Sequence, residues 1–224
     1  SLPQNRRAYD PEYLINYEVG MKTLLLDYRL SLNVSAFYSE RKDMQVSTSV
    51  QEDPTDPLTF VFFTGNAAEG QNQGIEVDWL YKINRNWNFH GALGLLDATF
   101  SDYVTVDDNF NGRKQAHAPD FTYNLGITYQ GDSGWFARAD YNGSDGFYFS
   151  DSHDQKADSR EVLNLKFGYQ SETWAVYAWA RNVLDETYPG RGFFFGLEPP
   201  NYADTLYQHL ADPQHFGLTA NFDF

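Results

Sequence analysis

Apolar and polar residues alternate with a period of two along most of this chain. Between residues 13 and 22, apolar side chains at odd positions oppose Asn16, Glu18, Gly20 and Lys22. Because successive side chains of a strand point to opposite faces, this alternation predicts β-strands. Strands are predicted over residues 13–22, 29–38, 74–82, 87–95, 121–130, 135–142, 163–169 and 216–224. A ninth is predicted over residues 174–182, where both faces carry apolar residues and neither face is assigned.

The connections between these strands alternate between short and long. Short connections are predicted near residues 23–28, 84–86, 131–134 and 171–172, and long ones near residues 51–58, 103–119, 150–159 and 184–213. Outer-membrane barrels have tight periplasmic turns and long external loops, whereas a soluble β-sandwich has no reason to sort its loops by length. The pattern therefore predicts an all-β fold, a transmembrane antiparallel β-barrel with about nine strands in this chain.

The side chains at the strand ends and centres agree with a barrel. Most predicted strands have the roughly 9 to 11 residues that cross a bilayer at a tilt. Aromatic residues at the ends of the apolar faces, next to the short turns, are predicted to form an interfacial girdle: Tyr13, Tyr81, Trp87, Tyr129, Trp135 and Tyr169. Lipid-facing positions are predicted at Leu30, Ile75, Leu125, Leu165 and Leu218, and lumenal positions at Asn16, Glu76, Asn124, Asn164 and Asn221.

Composition narrows the possible classes further. The 224 residues include 17% aromatics and no cysteine, which excludes disulfides and thiolate metal sites. The mean hydropathy of -0.57 fits a barrel, because only every second strand residue meets lipid. A net charge of -15 argues against nucleic acid as a partner, since phosphate recognition needs a basic patch.

Several ordered motifs resemble one family, the TonB-dependent outer-membrane receptors. Residues 13–22 contain the Asn-x-Glu-x-Gly-x-Lys pattern, residues 33–38 read Asn-Val-Ser-Ala-Phe-Tyr, and Gly74-Ile75-Glu76 follows Asn66. The further matches are Lys42-Asp43, Ala118-Pro119, Asn182-Val183-Leu184-Asp185 with Tyr188, and the terminal Phe224. Gln214 departs from the pattern, since the family usually shows Arg at that place.

The resemblance implies what surrounds this chain in the intact protein. The resemblance implies a 22-stranded barrel that is closed by an N-terminal plug. The plug carries the TonB box, the segment that contacts TonB. No plug-like segment precedes Tyr13, so residues 1–224 would be the C-terminal segment of the barrel without the plug domain. The implied location is the outer membrane of a Gram-negative bacterium. The implied partners are outer-membrane lipid, TonB through the missing N-terminal region, and a small-molecule nutrient.

Aromatic residues in two long loops are the candidate ligand-binding residues. Tyr148 and Phe149 lie on one loop flank, and Arg191, Phe194 and Tyr202 lie in the longest loop. Such residues bind ligands by stacking and hydrogen bonding, although they equally suit packing among the loops.

No catalytic, metal or cofactor site is predicted from the sequence. The histidines at positions 90, 117, 153, 209 and 215 share no metal-ligand spacing. Residues 150–154, Ser-Asp-Ser-His-Asp, could form a triad fragment or a calcium loop, but the flanking motifs of both sites are missing. An acidic external loop is the preferred interpretation.

The resemblance implies TonB-dependent uptake of a scarce nutrient such as a ferric siderophore. A passive porin, an outer-membrane β-barrel enzyme and a soluble β-sandwich binding module are the alternatives. The ligand stays open, because one scaffold serves many ligands.

Overall fold

The structure is a computed structural model that describes residues 8–53, 55–56, 59–105, 108–196 and 198–223. Its strands are β1 Tyr13–Leu25, β2 Leu30–Gln51, β3 Phe60–Lys82, β4 Trp87–Tyr103, β5 Phe121–Gln130, β6 Trp135–Ser144, β7 Phe147–Tyr148, β8 Lys156–Ala157, β9 Arg160–Gln170, β10 Trp174–Arg181, β11 Pro189–Phe195, β12 Thr205–Leu210 and β13 His215–Phe222. The described residues contain no helix long and apolar enough to cross a membrane.

Nine of these strands form one antiparallel sheet in the order β1-β2-β3-β4-β5-β6-β9-β10-β13. The other four form two small hairpins inside the long connections, β7 with β8 and β11 with β12. Within the described part of the chain, β1 pairs with β2 alone and β13 with β10 alone, so the sheet stays open. The all-β prediction and the alternation of short and long connections are confirmed, and the open sheet agrees with part of a larger barrel.

The strand register separates an apolar face from a polar face. Ile75 lies opposite Leu95, and both belong to the apolar set. On the polar face, the Nδ2 of Asn33 donates to the Asp78 carboxylate at 2.6 Å, and Asn124 donates to Asn142. Because paired residues of antiparallel strands share a face, each strand continues the face of its neighbour. The predicted division into apolar and polar sets is therefore confirmed across the sheet.

Strand β10, whose faces the sequence left unassigned, is resolved by its polar contacts. The Nε1 of Trp179 donates to the Thr219 hydroxyl at 3.2 Å, and the Lys166 Nζ lies 3.8 Å from the centroid of the Tyr177 ring. Trp179 and Tyr177 thus lie on the polar face, while Ala178 pairs with Leu218 on the apolar face. Large aromatic rings with a polar group suit either face, which explains why the pattern alone was ambiguous.

Strands β2 and β3 are much longer than predicted, with 22 and 23 residues. At about 3.3 Å per residue each spans roughly 70 Å, more than twice the ~30 Å hydrocarbon core of a bilayer. Where a strand extends beyond the bilayer, neither of its faces meets lipid, so apolar and polar residues no longer need to alternate. Backbone pairing continues there. A small buried cluster of Met44, Ala68 and Phe100 packs at this extension.

The girdle residues lie beside the short turns, with one exception. The Trp87 and Tyr129 ring centroids are 4.8 Å apart, and those of Trp135 and Tyr169 are 5.4 Å apart. The prediction was wrong for Tyr13, which pairs with Lys42 at the end of β1 farthest from the turn at residues 26–29. Strand β1 runs toward that turn, so its first residue lies at the opposite end of the strand. The predicted contribution of Phe224 lies outside the described residues.

Leu218→Arg and Thr219→Arg should have different effects on insertion into lipid. Leu218 is exposed on the apolar face, whereas Thr219 accepts the Trp179 hydrogen bond on the polar face. An arginine at a lipid-facing mid-membrane position costs about 2 to 4 kcal/mol, but the lumen is wet. We expect a lower folding yield in lipid vesicles for Leu218→Arg, measured by heat-modifiable gel mobility. Equal yields for both variants would contradict the assigned faces.

Candidate functional site

The long connections all lie at the same end of the sheet strands, because antiparallel strands place alternate connections at opposite ends. Within them, the β7–β8 hairpin contacts both the segment between β4 and β5 and the β11–β12 hairpin. The backbone N–H of His117 donates to the Tyr148 carbonyl at 2.9 Å, and the Ala116 N–H donates to the Asp151 carboxylate at 2.7 Å. The three connections therefore form one packed layer over this end of the strands.

Two cationic side chains lie against the ring of Tyr148. The Arg113 Cζ is 4.5 Å and the Lys156 Nζ is 4.2 Å from the centroid of its ring. Arg113 also donates to an Asp154 carboxylate oxygen at 2.8 Å and to the His153 carbonyl. These cation–π and hydrogen-bond contacts fix the Tyr148 ring between two loops.

Phe149 is only 3% exposed, so its ring is part of the packing between hairpins. It lies near Phe147, with ring centroids 5.6 Å apart, and against the backbone of Gly192 on β11. A Cβ added at Gly192 would lie 2.5 Å from the Phe149 Cδ1, so any residue other than glycine would collide with the ring. This contact joins β11 to the β7–β8 hairpin.

Phe194 lies on the same face of β11 as Gly192 and stacks on His153. The two ring centroids are 3.7 Å apart with an interplanar angle of 6°. The His153 Nε2 is 3.4 Å from the Asp204 carboxylate, and its Nδ1 is 3.0 Å from the Ser150 hydroxyl. Both ring nitrogens thus have oxygen partners, and the stacked imidazole connects the two hairpins. The sequence had marked the Ser150 segment as a possible triad fragment, but it gave no reason to place Asp204 beside it.

Arg191 lies on the opposite face of β11, because side chains alternate along a strand. Its cross-strand partner is His209. Together they line a cleft of about 520 Å³ at the base of the hairpin, whose other walls are Asn164, Arg181, Asn182, Tyr188, Asp212, His215 and short apolar residues. We call this the loop cleft. Arginine, histidine and tyrosine in one cleft offer hydrogen-bond donors to an oxygen-rich ligand.

Tyr202 lies at the turn between β11 and β12 and is 37% exposed. Its backbone has φ +52°, and its N–H donates to the Glu198 carbonyl at 3.0 Å. Nearby, Tyr207 donates to the Glu198 carboxylate, and this hydrogen bond raises the pKa of Tyr207. Tyr207 also stacks on Phe193 with ring centroids 5.7 Å apart. The hairpin therefore keeps an accessible aromatic face.

The structure divides the five predicted ligand residues into two groups. Tyr148, Phe149 and Phe194 lie in the packed layer, while Arg191 and Tyr202 lie on accessible parts of the β11–β12 hairpin. Ligand binding by each of the five stays a prediction. Sequence reasoning did not bring together five other polar residues of the loop cleft, Arg181, Tyr188, His209, Asp212 and His215. They come from three strands and the connections between them, and no period marks which of them meet. Among the described residues, no group of three or more His, Asp or Glu side chains could hold a metal ion.

The open antiparallel sheet, with its apolar face, aromatic ends and sorted connections, defines an outer-membrane β-barrel segment. Residues 2–183 match the family model described as TonB dependent receptor-like, beta-barrel. The chain belongs to this family. Family members are outer-membrane proteins of Gram-negative bacteria, and this places the chain in that membrane.

Known relatives agree with the family assignment. The chain is 29% identical over 135 residues to the metal-pseudopaline receptor CntO of Pseudomonas aeruginosa, which covers 60% of this chain and 17% of that protein. The chain therefore spans about a sixth of this curated relative.

Solved structures show the same fold at lower identity. The ferric yersiniabactin uptake receptor FyuA from Yersinia pestis superposes with a TM-score of 0.75 at 18% identity, covering 95% of this chain and 30% of that one. The siderophore receptor PiuA from Acinetobacter baumannii superposes with a TM-score of 0.70 at 20% identity, covering 98% and 30%.

Gly192→Ala should loosen the packed layer, whereas Gly190→Ala should not. A Cβ at Gly192 would collide with the Phe149 ring, but at Gly190 its nearest neighbour would be the His209 carbonyl at 3.9 Å. Overpacking of this kind costs about 1 to 3 kcal/mol. We expect faster amide hydrogen exchange over residues 147–157 in Gly192→Ala, measured by mass spectrometry. Identical exchange in the two variants would show that this contact does not hold the hairpins together.

Proposed function

We propose that this chain is the C-terminal barrel segment of an outer-membrane receptor that captures a scarce metal chelate and takes it up with energy from TonB. The family match over residues 2–183 carries this proposal. Relatives with this fold include a metal-pseudopaline receptor, a ferric yersiniabactin uptake receptor and a siderophore receptor. The plug and the TonB contact would belong to the rest of the polypeptide. The open edges of β1 and β13 would pair with its further strands, because lipid leaves no backbone group unpaired.

We propose different roles for the five predicted ligand residues. Arg191 in the loop cleft and Tyr202 at the hairpin turn contact the ligand directly. Tyr148 presents the accessible part of its ring beside Arg113 and Lys156. Phe149 and Phe194 hold the two hairpins together and so fix the position of Arg191. A preorganised loop layer loses less conformational entropy on binding than separate loops would.

The porin and enzyme alternatives have less support. The family match and the named relatives favour a receptor. The packed layer of hairpins lies over the end of the strands that carries the long connections, where a passive porin would keep its channel open. Uptake that persists in a strain without TonB would favour the porin alternative.

Arg191→Ala should weaken ligand capture, while Arg85→Ala should not. Arg85 is an exposed arginine of the short turn at residues 83–86, paired with Asp132 at 2.7 Å and distant from the loop cleft. Loss of one charge-assisted hydrogen bond costs about 1.5 to 3 kcal/mol, which corresponds to roughly a 10- to 100-fold weaker affinity.

The measurement uses the intact receptor in a strain that lacks its own copy and grows under metal limitation. Uptake of radiolabelled metal from culture-supernatant chelates is compared for both variants at equal outer-membrane levels. We expect half-saturation at a 10- to 100-fold higher chelate concentration for Arg191→Ala, as the lost hydrogen bond predicts. Equal uptake by both variants would remove Arg191 from the ligand site.

A further inference from the structure

Three basic side chains, Arg138, Lys166 and Arg181, lie close together on the polar face of β6, β9 and β10. Arg138 on β6, Lys166 on β9 and Trp179 on β10 are consecutive cross-strand partners, so they form one row across three strands. Arg181 pairs with His215 in the row nearer to the long connections. In contrast, the polar face of β1 to β3 presents Glu18, Glu76 and Asp78 with Lys22. A local basic region thus lies on the lumenal wall of a chain whose net charge is -15.

The charge of this basic region is only partly neutralised. Asp140 accepts two hydrogen bonds from Arg138, at 2.6 and 2.8 Å, and lies 3.1 Å from the His90 Nε2. No carboxylate of the described residues lies within 4 Å of Lys166 or Arg181. Two cations therefore remain without an acidic partner in this part of the chain.

The unpaired cations border a cleft of about 590 Å³ in the polar face. Its walls are Phe136, Arg138, Asp140, Asn164, Lys166, Trp179, Arg181 and Thr219 with adjacent backbone. We call this the wall cleft. Its volume lies in the range of small-molecule sites, about 300 to 1,000 Å³.

Aromatic rings give the wall cleft an apolar floor. The Trp179 ring lies over the backbone of Gly217, where an added Cβ would be 2.4 Å from the ring, and its Nε1 is fixed by Thr219. Lys166 lies over the Tyr177 ring and 5.4 Å from the centroid of Phe136. The ammonium is thus held at the cleft without an anion, and the rings offer contact area to an organic ligand.

The wall cleft is continuous with the loop cleft. Arg181 and Asn164 line both of them. Arginine matches carboxylate geometry through its planar fork of donors, and lysine adds a point charge. A ligand that leaves Arg191 and His209 would therefore meet Arg181 next and Lys166 after it.

We infer that the wall cleft is a second ligand site, which binds a small organic polycarboxylate below the loop cleft. The inference rests on the proposed receptor function for its route of access, and it assigns a class of ligand that the fold does not. An acidic segment of the same polypeptide is the rival occupant. Such a segment would exclude a free polycarboxylate and so overturn the inference.

Titration of the intact receptor in detergent with citrate tests the wall cleft. Citrate is a small tricarboxylate, and Trp179 is a fluorescent reporter within the cleft. We expect saturable binding by calorimetry, a change in tryptophan emission, and weaker binding at high salt because screening reduces the attraction. Inorganic phosphate should bind more weakly because it gains nothing from the rings. Absence of citrate binding, or phosphate binding as tight as citrate binding, would overturn the inference.

Charge-removing variants locate the bound citrate. Lys166→Gln and Arg181→Gln should each weaken citrate binding about tenfold or more, since each removes a charged donor. Lys166→Arg should restore most of the affinity, and Arg85→Gln in the short turn is the control of equal charge change. Unchanged affinity in both glutamine variants and in Arg191→Ala would mean that citrate is an adventitious ion only.

Arg191→Ala separates this inference from the proposed function. It should reduce chelate uptake while citrate binding stays within about twofold of the unmodified receptor, because Arg191 lines the loop cleft but not the wall cleft. Loss of citrate binding in Arg191→Ala, with both glutamine variants unaffected, would move the site to the loop cleft. That result would overturn the wall-cleft inference and leave the receptor function standing.

Discussion

Antiparallel backbone pairing is the constraint on which the rest of this structure depends. Lipid offers no hydrogen bonds to free amides, so every spanning strand must be paired along its length. Pairing fixes the register, and the register fixes which side chains share a row on each face. The row from Arg138 through Lys166 to Trp179 exists because β6, β9 and β10 pair in one register. A one-residue slip would turn these side chains toward lipid.

The same pairing continues beyond the width of a bilayer and supports the outer layer. Strands β2 and β3 extend far past the alternating segments. Above the shorter strands, two hairpins and the segment between β4 and β5 pack together through Phe149, Gly192 and the stacked pair of His153 and Phe194. The sheet thus supplies a rigid base for the loop layer, which carries the candidate ligand residues.

The distribution of charge connects the two parts. The loop cleft and the wall cleft share Arg181 and Asn164, and the wall cleft adds Arg138 and Lys166. A net negative chain with a local positive surface attracts an anion to one place and repels it from others. If the chain has the receptor function proposed above, this arrangement would attract a negatively charged ligand from the loops toward the lumen.

The sequence by itself determined the faces of every sheet strand except β10, the sorted connections and the family resemblance. Lipid on one side of the sheet and water on the other impose a period of two. The sequence misplaced Tyr13 relative to the short turns and stopped β2 at residue 38, since the alternation ends where the bilayer ends. Only the tertiary structure placed Asp204 beside His153 and brought Arg181, His209 and His215 to one cleft. Those residues are far apart in the chain. Their proximity follows from the pairing of β10 with β13 and from hairpin packing, neither of which a single sequence displays.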